Sequence, residues 1–214
     1  MIEIFKHLWP LSIENFQWIF DNYGTAIYII LFLIIFIETG LVAMPFLPGD
    51  SLLFVAGIFA SSGMLNFTFL LVLLSFAAIL GDNCNYWVGR KIGIKIFDFK
   101  LRGKPIVKKE YLDKTHVFFE KHGTRAIIMA RFVPFVRTFA PFAAGIGKMD
   151  YKKYFMFDVL GGVLWIGSLT TAGYFLGGFE IIRKKIDLIC IGIILVSVLP
   201  IIISYFKNKN IKSA

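Results

Sequence analysis

Four runs without a charged residue, 23–37, 51–81, 159–179 and 188–206, constrain this chain more than any motif in it. A helix that crosses a bilayer needs about 20 apolar residues. The last two runs meet that length directly, and the first meets it only by carrying Glu38 at its far end. The run 51–81 is too long for one crossing and contains "SSGMLNF" (61–67), a turn signature with Asn66 as N-cap of a second helix. Residues 66–90 are therefore predicted to cross, while 51–60 are too short. They follow "PFLPGD" (45–50), where two prolines and a glycine stop a helix. A half-length apolar segment after such a break reads as one arm of a re-entrant hairpin. Irregular backbone at membrane depth survives only where protein or a wet cavity surrounds it. With 57% hydrophobic and 17% charged residues in 214, the chain falls in the integral membrane class.

The segment "TRAIIMARFVPFVRTFAPFAAGIG" (124–147) is long enough to span, but Arg131, Arg137, Pro134 and Pro141 make it costly as a plain lipid-facing helix. A second re-entrant hairpin, interrupted at its prolines, fits better. An internal repeat supports this. "MPFLPGDSLLFVAGI" (44–58) resembles "VPFVRTFAPFAAGI" (133–146), and each runs through a polar turn, "GMLNFTF" (63–69) or "GKMDYKKYF" (147–155), into a spanning helix. Each helix ends in an aromatic-glycine cluster, "NYWVGRKIG" (85–93) or "GYFLGG" (173–178), at an offset of about 88 residues. Repeats of this kind mark transporters.

Crossings at 23–43, 66–90, 155–178 and 187–206 put the N-terminus, the 90–125 loop, 147–154 and the C-terminal tail on one side. That side carries Lys6, eleven basic residues from Arg90 to Arg125, and six lysines beyond them. Only Arg183, Lys184 and Lys185 fall opposite. The excess of Lys and Arg makes the rich side cytoplasmic. It accounts for the net charge of +9 through contact with anionic lipid heads, without nucleic acid. The repeat is then inverted, and its two hairpin tips approach each other near the midplane. The domain organisation is an interfacial segment (1–22), a membrane domain (23–180) with repeats at about 38–93 and 124–178, and a terminal helix with a basic tail (181–214). "KKEYLDKTHVFFEKHG" (108–123) reads as an interfacial amphipathic helix. Cys84 and Cys190 read as buried free thiols. Gly89/Gly93 and Gly173/Gly177 form G-x-x-x-G pairs for close helix packing.

The stretches "ETGLVAMPFLPGDSLLFVAG" (38–57), "GDNCNYWVGRKIG" (81–93), "FFEKHGTRAIIMARFVPFVRTFAPFAAGIGKMDYKKYF" (118–155) and "GGVLWIGSLTTAGYFLG" (161–177) resemble the DedA family of the SNARE-associated, VTT-domain superfamily. The resemblance covers about residues 20–180. It implies an all-α polytopic bacterial plasma-membrane protein with opposed re-entrant hairpins. It also implies movement of a lipid phosphate, such as undecaprenyl phosphate or a phospholipid, coupled to protons. The family's important acids match Glu38 and Asp50, and its important arginines match Arg131 and Arg137.

Read from the residues, Arg131 and Arg137 are candidate substrate-binding groups. Arginine stays protonated, and its planar fork suits a phosphate. Snorkelling to the interface, or structural pairing with the acids, is the plainer reading. Glu38 and Asp50 are candidate proton-coupling groups, since burial and a neighbouring arginine act in opposite directions on a carboxyl. Asp50 is equally placed to cap the half-helix after "PG". Asp82 and Asp158 are candidate lining residues of the pathway, or satisfy a helix neighbour.

A membrane enzyme would need a nucleophile or metal set. The three histidines, His7, His116 and His122, fall in predicted interfacial segments, so no enzyme, metal or cofactor is expected. A proton-dependent small-ion exporter and a non-transporting scaffold are the alternatives. The expected partners are a phosphate-bearing lipid, protons, the bilayer and, as an open possibility, further copies of the chain.

Overall fold

The computed structural model describes residues 13–41, 49–93, 100–101, 104–105, 123–133 and 136–179. Three long helices dominate: α1 (Ile13–Gly40), α3 (Phe67–Ile92) and α6 (Tyr151–Gly177). Between them lie the short helices α2 (Gly49–Ser61), α4 (Ala126–Ala130) and α5 (Val136–Ile146). A 3-10 turn, Gly123–Arg125, leads into α4. The only departure from helix among the described residues with regular structure is a two-residue antiparallel ladder, Lys100–Leu101 with Lys104–Pro105.

Asn22–Gly40, Phe67–Ile92 and Tyr151–Gly177 are long and apolar enough to cross a membrane. Their outward side chains include Ile29, Val72, Phe76, Leu164 and Phe175, each more than half exposed. Water would not tolerate so many large exposed apolar side chains on neighbouring helices, whereas lipid tails cover them at no cost. α1 departs from helical geometry at Tyr23, with φ −130°, at the boundary expected between an interfacial segment and the first crossing. The fourth expected crossing (187–206), the RKK cluster, Cys190, the three histidines and nearly all of the amphipathic segment 108–123 lie outside the described residues.

α2 has 13 residues and α5 has 11. At about 1.5 Å per residue, neither approaches the roughly 30 Å of a hydrocarbon core. Both were expected as half-length segments. Pro141 does not interrupt the second one, as the sequence suggested, but lies inside α5. It supplies no N–H for the carbonyl four residues earlier, that of Arg137, while the helix continues on its buried face. The break falls instead at the C-terminal end of α4, where Arg131 is the C-cap and the chain turns through Phe132 and Val133.

The described residues belong to two compact units. One takes residues 1–30, 46–70 and 168–214; the other takes 31–45 and 71–167. In the first, α2 packs on the end of α6 with backbone against backbone. A Cβ at Gly57 would collide with the Thr170 carbonyl, one at Gly173 with the Phe54 carbonyl, and one at Gly177 with Ile58 and the Ser61 hydroxyl. In the second, α5 packs on α3 in the same manner, with Gly145 on the Tyr86 carbonyl and Gly89 on the Phe142 carbonyl. Small residues permit this approach, which is a main source of helix association in lipid. Gly93 takes no part. It ends α3 at φ +60° with open space around it, so only the Gly89 half of the first G-x-x-x-G pair packs.

Both short helices also end alike. After α2, the Gly63 N–H bonds the Ala60 carbonyl (3.1 Å) and the Met64 N–H bonds the Phe59 carbonyl (3.2 Å). After α5, the Lys148 N–H bonds the Gly145 carbonyl (3.1 Å) and the Met149 N–H bonds the Ala144 carbonyl (3.0 Å). Each is a Schellman turn with a left-handed residue, Gly63 or Lys148. An N-cap then starts the following long helix. Asn66 Oδ1 accepts the Phe69 N–H at 2.9 Å, as expected, and Asp150 Oδ1 accepts the Lys153 N–H at 3.0 Å.

Candidate functional site

The second unit buries an unusual set of polar side chains for a protein in lipid: Glu38, Thr39, Asp82, Asn85, Arg131, Thr138 and Asp158. They converge because α1 and α3 each turn two polar positions inward, and α5, α6 and the C-cap of α4 one each. Small residues let the helices close over them. Gly81 sits against the Thr39 hydroxyl, which bonds back to the Ile35 carbonyl at 2.9 Å.

Two ion clusters result. In the first, Arg137, one residue into α5, donates from Nη2 to Glu38 Oε1 at 2.6 Å. The Glu38 side chain is fully buried, and 12% of the Arg137 side chain remains accessible. The guanidinium lies 4.7 Å from the centre of the Trp165 ring, close enough for a cation–π contact. In the second, Arg131 Nη2 contacts two carboxylates, Asp82 Oδ2 and Asp158 Oδ1, the latter at 2.6 Å. All three side chains are buried. Gly161 and Gly162 of α6 lie beside this guanidinium, where a Cβ at either would stand in ordinary contact, 3.4–3.5 Å from its nearest atoms.

Asn85 ties the clusters to the backbone. Its Nδ2 donates to the Thr39 carbonyl (3.2 Å) and the Thr138 carbonyl (2.7 Å), the residues directly after Glu38 and Arg137. Tyr154 donates to the Asp82 carbonyl at 3.0 Å and stacks on Tyr86, with ring centres 4.3 Å apart. Asn83 Nδ2 reaches Asp158 Oδ2 at 3.5 Å, and its Oδ1 accepts from the Tyr151 hydroxyl at 2.8 Å.

Of the residues singled out from sequence, Glu38 and Arg137 meet each other, and Asp82 and Asp158 meet Arg131. Asp50 belongs to the other unit, exposed in the first turn of α2, where its charge complements the helix N-terminus. Cys84, expected buried, is exposed on α3. Sequence reasoning did not single out Asn85, Tyr154 or Trp165. A buried amide and a tryptophan inside a spanning helix carry no charge to flag them.

The fold and this buried charge define a polytopic α-helical membrane protein with an intramembrane ionic site. Residues 47–175 match the VTT domain. Over 191 residues the chain is 51% identical to Protein DedA of Escherichia coli K12, covering 88% of this chain and 86% of that protein. It is 42% identical over 206 residues to an uncharacterised membrane protein of Mycobacterium leprae (95% and 91% covered). It is 35% identical over 181 residues to the inner membrane protein YqjA of E. coli K12 (84% and 80% covered). No solved structure matches. The chain belongs to the DedA family of VTT-domain membrane proteins.

Proposed function

We propose that this protein moves a lipid phosphate, undecaprenyl phosphate or a phospholipid, across the bacterial plasma membrane, coupled to protons, without breaking a bond in it. The observation that carries the reading is the Arg137–Glu38 pair, a permanent cation in the apolar unit, ion-paired with a buried carboxylate and still partly accessible. A phosphate headgroup entering lipid loses its hydration and needs such a partner. It exchanges with Glu38 for the guanidinium, and the displaced carboxylate takes up a proton instead of standing alone. Trp165 holds the guanidinium plane in place through the exchange. Arg131 is the second cation of the clamp. Asp50 is the corresponding carboxylate of the other half.

The matched glycine joints, Schellman turns and N-caps support reading 38–93 and 124–178 as two copies of one inverted unit, each short helix being a re-entrant arm. The lipid tails then stay in the bilayer while the headgroup is held at Arg137. With the basic side cytoplasmic, both termini lie inside.

The test is headgroup movement in reconstituted vesicles carrying undecaprenyl phosphate or phosphatidylethanolamine, for wild type, Arg137→Ala and Glu38→Gln. Movement of the phosphate-bearing lipid that Arg137→Ala abolishes is the expected result. A folded wild-type protein that moves neither lipid, but responds to a cation gradient, would replace this reading with ion export.

A further inference from the structure

The buried polar set does not balance. Among the described residues, Glu38, Asp82 and Asp158 are ion-paired with Arg131 and Arg137, three acids to two cations. The excess is local. Glu38 has a guanidinium of its own, whereas Asp82 and Asp158 share one, and both reach the same nitrogen, Nη2. Two carboxylates brought that close in a medium of low dielectric repel each other strongly. The other groups facing them are Tyr154 and Tyr151 from α6, Asn83 from α3 and, at longer range, Arg137 from α5. Among the described residues none of these adds a further cation in contact with the pair. A second observation points the same way. Asn85, fully buried and one turn beyond Asp82 on the same face of α3, has an Oδ1 with no hydrogen-bond partner. Its Nδ2 is already committed to two carbonyls, so the remaining atom accepts from a donor that the described residues do not supply.

We infer that Asp82 and Asp158 share one exchangeable proton, and that this proton sets whether Arg131 can serve a phosphate. With the proton present the triad is neutral, and Arg131 can turn part of its fork to an anion. When the proton leaves, two full carboxylates hold the guanidinium and withdraw it. The orphaned Asn85 oxygen is the place for the water through which the proton arrives. A metal cation in its place would have to displace Arg131, whose Nη2 occupies the position between the carboxylates. The shared proton stands on the geometry of the triad alone. Its effect on substrate rests on the lipid-phosphate reading above.

The experiment reads the carboxylic-acid C=O stretch, which a carboxylate lacks, by infrared difference spectroscopy of the purified protein across a pH titration in sodium-free buffer. The wild type should show one protonated carboxyl that is lost as pH rises. Asp82→Asn and Asp158→Asn should each remove that band entirely, because the carboxylate left behind has Arg131 to itself. Monodispersity and thermal midpoint report folding of each variant, and Asp82→Glu, which keeps the acid, should restore the band. No protonated carboxyl in the wild type, or a band removed by Glu38→Gln while Asp82→Asn retains it, overturns the inference. In vesicles carrying undecaprenyl phosphate, wild-type movement should fall as pH rises, while the two Asn variants should fall less steeply, keeping only the dependence that Glu38 sets. Movement in wild type with unchanged pH dependence in both Asn variants overturns the assigned effect on Arg131. An intact band with no lipid movement in any protein overturns the lipid reading instead.

Discussion

The glycine joints give the sharpest test of the packing. Gly145 and Gly89 lie where α5 and α3 touch through their backbones, and a methyl group at either would stand far inside contact distance of a main-chain carbonyl. A carbonyl cannot rotate away as a side-chain tip can, so the helices must separate along the joint. Overpacking of this kind costs about 1–3 kcal/mol. Gly167 of α6 is the matched control, with nothing within 4 Å of the position where a Cβ would stand. There, replacing glycine by alanine in a helix gains up to about 1 kcal/mol from propensity alone. Gly145 is helical too and shares that gain, so Gly145→Ala and Gly167→Ala should differ by the overpacking cost, about 1–3 kcal/mol. Thermal unfolding of the purified proteins in one detergent, followed by loss of monodisperse protein, measures the order. Gly57→Ala and Gly173→Ala in the other unit should behave as Gly145→Ala does. If Gly145→Ala unfolds at the same temperature as Gly167→Ala, the backbone contact is not the joint described here.

Other consequences are local. Asn66→Ala and Asp150→Ala each remove the N-cap of a spanning helix and should cost about 0.5–2 kcal/mol by the same assay. Tyr86→Phe removes a hydroxyl that donates to the Met149 carbonyl at 2.6 Å and accepts from Arg90 at 2.5 Å. Arg90 still donates to that carbonyl at 3.1 Å, so the loss should be that of the hydroxyl's own bonds, about 0.5–1.5 kcal/mol, with the ring stacking intact. A spin label on Cys84, with Cys190→Ser, should relax with oxygen more than with a polar nickel complex, because Cys84 faces outward from a spanning helix. The reverse order would place that face of α3 in water.

Much of this architecture is legible in the sequence, because a bilayer punishes charge and broken backbone uniformly. The three described crossings fall where the charge-free runs place them, and Asn66 caps the helix it was expected to cap. The half-length helices also follow from their flanking breaks. What the sequence conceals is mostly partnership. Asp82 and Asp158 lie 76 positions apart on different helices, and no local pattern says that both reach Arg131. A count of charges at membrane depth was the available signal, since arginines there demand acids from some other helix. Pro141 misleads for a different reason. Proline marks where a helix loses one hydrogen bond, and tertiary packing decides whether it ends there. Cys84 misleads because exposure to lipid and burial in protein favour the same residue types, so an apolar neighbourhood cannot distinguish them.

The two arginines are alike in sequence and unlike in place, and the difference is measurable. Arg131 uses one nitrogen for two carboxylates, beside Gly161 and Gly162 of α6. A lysine ammonium can also bridge two carboxylates, so Arg131→Lys keeps the charge balance of the triad, although its shorter reach loosens the fit. Arg137 uses its plane as well as its charge, with Trp165 against the guanidinium and Glu38 beside it. A lysine there has no planar fork and no flat face to stack on the indole. Arg137→Lys should therefore weaken apparent affinity for the phosphate-bearing lipid about tenfold, a loss of about 1.4 kcal/mol. Trp165→Leu should cost Arg137 the same stacking contact while leaving its charge, and the two changes together should cost less than their sum. Concentration dependence of headgroup movement in vesicles separates the cases. If Arg137→Lys moved the lipid with wild-type affinity, charge alone would suffice at that position, and the indole would be packing with no part in recognition.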